Sequence, residues 1–216
     1  MELFFSPLAC SMSGRIAFAE AGVDVKLTEV DPHTKRVLAT GEDYRQINPL
    51  GYVPALRLDD GTVLTENAAI LQYIVDAYPE ARLAPPDSDR AARAKLRQWL
   101  SFIGTELHKA LMTPLLGRET PPEVKAWVVG KYASRLAYLD EKFKGREFLL
   151  DRFSVADAYL ATVLSWTQAT PEIDLALYPN VKEAYLERMR QRPSVAAALA
   201  LEVPLFRAEI ARRKAA

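Results

Sequence analysis

The apolar positions change rhythm once along the chain. Before residue 80 they form short runs between turn residues, and after it they recur at helical spacing. Leu3-Phe4-Phe5 reads as a buried strand, and Ser6-Pro7 breaks it. The run Gly14–Ala21 is amphipathic, with Ser11 or Ser13 as its expected N-cap and Gly22 as its stop. In Val23–Val30 the alternation of Val23, Val25 and Leu27 with polar residues predicts a second strand with one apolar face on the core. A weaker pattern over Arg36–Ile47 predicts a short irregular helix, and Asn48-Pro49-Leu50-Gly51 a turn. Tyr52–Leu58 and Thr62–Leu64 flank Asp59-Asp60-Gly61 as a hairpin. Thr65 is the expected cap of a helix over Glu66–Val75, with Ala69, Ile70, Tyr73 and Ile74 on its inner face. This order predicts a four-stranded mixed α/β sheet with helices on its faces.

Residues 81–89, with Pro85-Pro86, read as a linker between a first domain (1–80) and an all-helical second domain (90–216). Leu96, Leu100, Ile103, Leu107 and Leu111 lie on one stripe of a long helix from Arg90 to Met112, which Thr113-Pro114 should end or kink. A second helix is predicted from Pro122 to about Lys144, anchored by Trp127, Tyr132, Leu136 and Leu139. Ser154–Asp157 has the form of a capping box opening a helix that is apolar almost all round, as the centre of a bundle is. Further helices are expected after Tyr178-Pro179 and Arg192-Pro193, with a charged, fraying tail from Arg207 to Ala216.

Composition narrows the classes. Half of the 216 residues are hydrophobic, enough for a substantial core. The 28 basic and 28 acidic residues cancel, which argues against nucleic acid or an anionic membrane as partner. One cysteine excludes an intrachain disulfide, and with two histidines there is no zinc pattern, so no metal is expected. No apolar run approaches the roughly 18 residues of a membrane span. No signal peptide is read at the start, and the default is a reducing, cytoplasmic compartment.

That lone cysteine, Cys10, stands where a strand hands over to a helix. Free first-turn N–H groups and the helix dipole favour an anion there, so the thiol can become a usable thiolate. The other reading is a small buried hydrophobe, and position alone leaves both open.

Ordered along the chain are Ser6-Pro7-x-x-Cys10-Ser11, Asn48–Leu56, Leu64–Ile70, Glu106-Leu107-His108-Lys109 and Phe153–Tyr159. With the domain plan, these make the sequence resemble a cytosolic glutathione transferase. The details are similar to the bacterial beta class, which has cysteine where other classes use tyrosine or serine. The resemblance implies a thioredoxin-like N-terminal domain, an all-helical C-terminal domain, and glutathione as co-substrate with no permanently bound cofactor. It implies a cis peptide at Val53-Pro54, whose Val53 N–H and C=O pair with glutathione as an added strand does. It assigns the γ-glutamyl end of glutathione to Glu66 and Asn67 and the glycyl carboxylate to Lys35. His108 and Lys109 would face the glutathione sulfur, with Cys10 and Ser11 beside it. Thr105, Glu106 and Leu107 would reach the γ-glutamyl group, some from a neighbouring subunit. Ser101 departs from the usual asparagine and reaches less far. Phe5, Met112 and Trp166 would line the electrophile pocket. His33 has no matching role and reads as surface.

The implied function is conjugation of glutathione to small hydrophobic electrophiles by a homodimer, with Cys10 able to form a mixed disulfide. Two rivals remain. One is a glutathione-dependent thiol-disulfide oxidoreductase or peroxidase. The other is a non-catalytic ligand- or partner-binding protein of the same fold.

Overall fold

The computed structural model describes residues 1–215, which form two compact units. One comprises Met1–Leu83 together with the chain from Pro193 onward, and the other is Ala84–Arg192.

In the first unit, strands β1 (Glu2–Phe5), β2 (Lys26–Glu29), β3 (Ala55–Arg57) and β4 (Val63–Thr65) make one sheet in the order β2-β1-β3-β4. β1 runs parallel to β2 and antiparallel to β3, and β3 pairs antiparallel with β4. Helix α1 (Met12–Glu20) makes the crossover from β1 to β2, and α2 (Asn67–Ala77) follows β4. Successive residues of β1 serve opposite faces. Phe4 packs with Val30, Val37, Tyr44 and Ala55. Leu3, buried on the other face, lies against Gly14 of α1.

Three local expectations change. β2 begins only at Lys26, so Val23 and Val25 lie outside the ladder. Within it Thr28 is buried and Leu27 exposed. The inward place is polar because Thr28 donates to Glu2 Oε1 at 2.6 Å across the strand pair. Arg36–Ile47 is mostly loop. It is pinned by bridges Val30–Val37 and Arg36–Asp43, with one 3-10 turn at Tyr44–Gln46. Glu66, not Thr65, stands at the cap of α2, with φ +66°.

In the second unit α3 (Arg90–Phe102) continues without a break through a wider π-helical stretch, Ile103–Met112, into α4 (Thr113–Leu116). The predicted stripe, from Leu96 to Leu111, is buried. Thr113-Pro114 does not stop the helix. Its register has already shifted, so the Thr113 N–H donates to the His108 carbonyl, and the Thr113 hydroxyl adds a bond at 2.8 Å.

The expected second helix is two, α5 (Pro122–Tyr132) and α6 (Ser134–Lys142), divided at Ala133. Trp127 is 57% exposed and anchors nothing; Val128 takes the inward place. Helix α7 (Val155–Ser165) is buried from Val155 to Leu164. A π-helical stretch, Asn180–Glu187, leads into α8 (Arg188–Gln191).

The last helix, α9 (Pro193–Ala215), differs from expectation twice. It groups with the sheet-containing unit, and it stays helical through the charged segment; Ala216 lies outside the described residues. Buried Glu209 pairs with His33 at 3.4 Å, and Arg212 pairs with Glu29 at 3.0 Å. Those contacts hold the segment that composition alone marks as frayed, and they engage His33.

Candidate active site

Cys10 lies in the tight turn after β1. The Ala9 N–H donates to the Ser6 carbonyl at 3.1 Å and the Met12 N–H to the Ala9 carbonyl at 3.0 Å. The Ser6 hydroxyl donates to the Val30 carbonyl at 2.6 Å, fixing the turn to the strand region next door. Cys10 is 8% exposed. Its thiol donates to the Val53 carbonyl at 3.4 Å, and Val53-Pro54 is cis. The resemblance thus finds its cysteine and its cis-proline junction in contact.

Both serines of the turn face inward. Ser11 stands at the N-cap position of α1, fully buried, but its hydroxyl donates back to the Ser6 carbonyl at 3.3 Å, so it braces the loop and makes no side-chain cap bond. Ser13 donates to the Cys10 carbonyl at 2.7 Å and accepts from Asn67 Nδ2 at 2.9 Å. The Asn67 side chain is therefore spent on the cysteine turn, and it is buried. Only its backbone, in the first turn of α2, remains for an anion. Glu66 beside it is exposed, and its positive φ is a conformation that non-glycine residues hold only under constraint.

Tyr44 and Asn48 carry a role with no sequence motif of their own. The Tyr44 hydroxyl and Asn48 Nδ2 both donate to the Tyr52 carbonyl, at 3.0 and 2.7 Å. They fix the peptide that leads into Val53. Burial pushes the Tyr44 phenol well above its ordinary value, so it stays a donor. The Asn-Pro pair ahead of Val-Pro was the available signal. Lys35 lies over this turn, its ammonium 5.6 Å from the Tyr52 ring centre and its stem against Gly51. Burial and the nearby Arg45 lower its pKa. Gly51, at φ +66°, leaves room there: an added Cβ would meet Lys35 Cδ at 3.3 Å.

A further buried group grips the same turn. Glu202 of α9 is fully buried and accepts the Leu8 N–H at 2.7 Å, while Leu8 holds φ +57°. Arg15 of α1 stands 3.2 Å from the other Glu202 oxygen and also covers the Phe5 ring at 4.6 Å. Phe5 is 4% exposed, which leaves it little surface for a ligand.

The helical unit holds the remaining candidates. His108 and Lys109 lie in the π-helical stretch, a deformation often found at functional sites. His108 Nδ1 shares a 2.7 Å hydrogen bond with the Tyr159 hydroxyl, and its ring meets Trp166 edge-on at 4.9 Å. Burial, then the charge of Lys109, lowers the His108 pKa to about 4, so the ring is neutral at pH 7. The Thr105 hydroxyl turns back to the Ser101 carbonyl at 3.0 Å, and Glu106 is held by Arg135 at 2.8 Å. Leu107 and Met112 are wholly inside the core and offer a ligand no side-chain surface.

Each unit has its counterpart among known proteins. A cysteine turn closed by a cis-proline on a four-stranded mixed sheet defines the first as thioredoxin-like, and the second is all helical. The N-terminal domain model of glutathione S-transferases matches residues 9–77, and the C-terminal domain model matches residues 105–193. Glutathione S-transferase GstA of Escherichia coli O157:H7 is 43% identical over 203 residues, covering 94% of this chain and 98% of that protein. A sphingomonad glutathione S-transferase solved in complex with glutathione is 44% identical, with a TM-score of 0.87, covering 94% of this chain and 98% of the other. A bacterial beta class glutathione S-transferase of Sphingomonas chungbukensis is 43% identical, with a TM-score of 0.86 over the same shares. The chain belongs to the glutathione S-transferase family, with the bacterial beta class as its counterpart. Among the described residues no helix is long and apolar enough to cross a membrane.

Proposed function

We propose that this transferase joins reduced glutathione to small hydrophobic electrophiles. The glutathione sulfur attacks an electrophilic carbon as its thiolate; the C–S bond forms and the leaving group departs with its electron pair. The contact between the Cys10 thiol and the Val53 carbonyl carries the reading. It brings the turn that bears the sulfur to a backbone stretch that can offer an added strand a partner. The Val53 N–H and C=O would pair with the cysteine unit of glutathione, since a carbonyl can accept a second bond. Lys35 over Tyr52 supplies positive charge for the glycyl carboxylate, and Glu66 with the first turn of α2 takes the glutamyl amine and carboxylate. Within the helical unit, neutral His108 is available as a hydrogen-bonding group and Lys109 as a positive charge. Trp166, against His108, offers an aromatic wall for the electrophile.

Cys10 itself supports a second activity. As thiolate it attacks the glutathione sulfur of a mixed disulfide between glutathione and another thiol; that S–S bond breaks and the other thiolate leaves reduced. Free glutathione then attacks the Cys10–glutathione disulfide, restores Cys10 and releases oxidised glutathione. The chain has no second cysteine to do this internally.

A homodimer completes the reading. Exposed Tyr138 and half-buried Phe102, packed with the buried Trp99 around a 430 Å³ cavity, support it, and a monomer by sedimentation at micromolar concentration would contradict it. Intact mass after treatment with oxidised glutathione, with conjugation of a chromogenic aryl halide on the same samples, tests the division of labour. Wild type should gain one glutathione. Cys10→Ala should gain none and still conjugate. No adduct on wild type, with conjugation abolished in the variant, would make Cys10 a direct participant in thioether formation.

A further inference from the structure

The Tyr159–His108 pair lies in one unit, and both residues are fixed by their own helices. Tyr159 is on α7, 3% exposed, in the middle of the most buried helix. A phenol buried that deeply needs a hydrogen-bond partner. His108 is on the π-helical stretch, whose carbonyl at this residue is held by the Thr113 hydroxyl at 2.8 Å. Trp166 meets the ring edge-on. The imidazole is thus held by side chain and backbone, and it keeps partial exposure.

The direction of the bond follows from its chemistry. The separation is 2.7 Å. A phenol hydroxyl is a good donor and a weak acceptor, and a pyridine-type imidazole nitrogen is the better acceptor of the two. A neutral imidazole has one pyridine-type nitrogen that accepts and one N–H that donates, and the partner of one nitrogen decides the state of the other.

We propose that Tyr159 is a positioning residue: its hydroxyl donates to His108 Nδ1 and fixes the ring as the Nε2–H tautomer, making His108 a hydrogen-bond donor through Nε2. A donor steadies an anionic sulfur without taking a proton from it. A ring in the other tautomer would present a lone pair at Nε2, which repels a thiolate. This rests on the reading that His108 serves the transfer reaction, and it adds the residue that sets the ring's chemistry.

Nitrogen-15 NMR of the imidazoles reads the tautomer without activity. The chain has two histidines, and His33→Gln assigns the other. In wild type at pH 7, His108 should show a protonated Nε2 and a pyridine-type Nδ1. In Tyr159→Phe the two tautomers should mix. The kcat at pH 7 should then fall about fivefold, the size of one net hydrogen bond, with the KM for glutathione unchanged. A protonated Nδ1 in wild type overturns the proposal, even if the variant does not fold. So does an unchanged tautomer in Tyr159→Phe. A tautomer that shifts while kcat stays put upholds the positioning and instead removes His108 from the reaction.

Discussion

Two buried carboxyls, one in each unit, solve the same problem differently. Asp157 and Glu202 are both fully shielded from solvent. Asp157 is surrounded by dipoles. It accepts the Leu149 and Ser154 N–H groups and the Ser154 hydroxyl at 2.9–3.0 Å, with the Tyr185 hydroxyl at 3.4 Å. Glu202 has one N–H, from Leu8, and a cation, Arg15, that makes no well-formed hydrogen bond to its second oxygen. Burial raises both, Asp157 from 3.8 to about 6 and Glu202 from 4.5 to about 7. An adjacent arginine therefore does not rescue Glu202 from desolvation. Arg15 is itself lowered by burial. The lesson is that several oriented neutral donors stabilise a buried carboxylate at least as well as one poorly aligned charge.

The largest test of that contrast is Asp157→Ala. It orphans buried donors on Ser154, Leu149 and Tyr185 at once, and should cost about 4 kcal/mol. Urea denaturation measures it, and a loss below about 1 kcal/mol would mean that the dipoles contribute little.

Next is the pH dependence of stability with Glu202→Gln. Each carboxyl binds its proton more tightly folded than unfolded. The stability it confers is whole below the unfolded value and is lost as pH rises through the folded one: from 3.8 to about 6 for Asp157, from 4.5 to about 7 for Glu202. Wild type should thus weaken between pH 5.5 and 8 by roughly 3 kcal/mol. Glu202→Gln, with no charge to gain, should lose most of that slope above pH 6, so its disadvantage shrinks as pH rises. A disadvantage that grows with pH would show that the arginine pairing outweighs burial after all.

The smallest effect is expected from Leu8→Gly. Glycine accepts the positive φ at Leu8 more readily but is freer when unfolded, so stability should stay within about 0.5 kcal/mol if the Glu202 bond survives. A loss above 2 kcal/mol would assign the turn's stability to the Leu8 side chain.

The same pair marks how far the sequence could be read. Asp157 was legible because Ser154 and Asp157 are neighbours at capping-box spacing, and local chemistry leaves a local signature. Glu202 was not. It sits among the charges of α9, and nothing nearby says that it meets Leu8 across 194 positions. The cysteine turn and the hairpin were legible for the same local reason, and the cis Val53-Pro54 only through the family resemblance. The inward turn of Ser11 and Asn67 was hidden, because a polar residue reads alike whether it faces a ligand or a buried carbonyl. Thr28, buried and hydrogen-bonded to Glu2 where alternation expected Leu27, failed for that reason too.

Helix α9 also sets an order on synthesis. Leu8 and the cysteine turn leave the ribosome early, and Glu202 does not yet exist when they do. During all that time the sheet can pair and α1 can form, but Arg15 and the Leu8 amide lack their Glu202 partner. The turn bearing Cys10 is thus translated long before the α9 residue that fastens it. A nascent chain carries an unlatched Cys10 until α9 arrives.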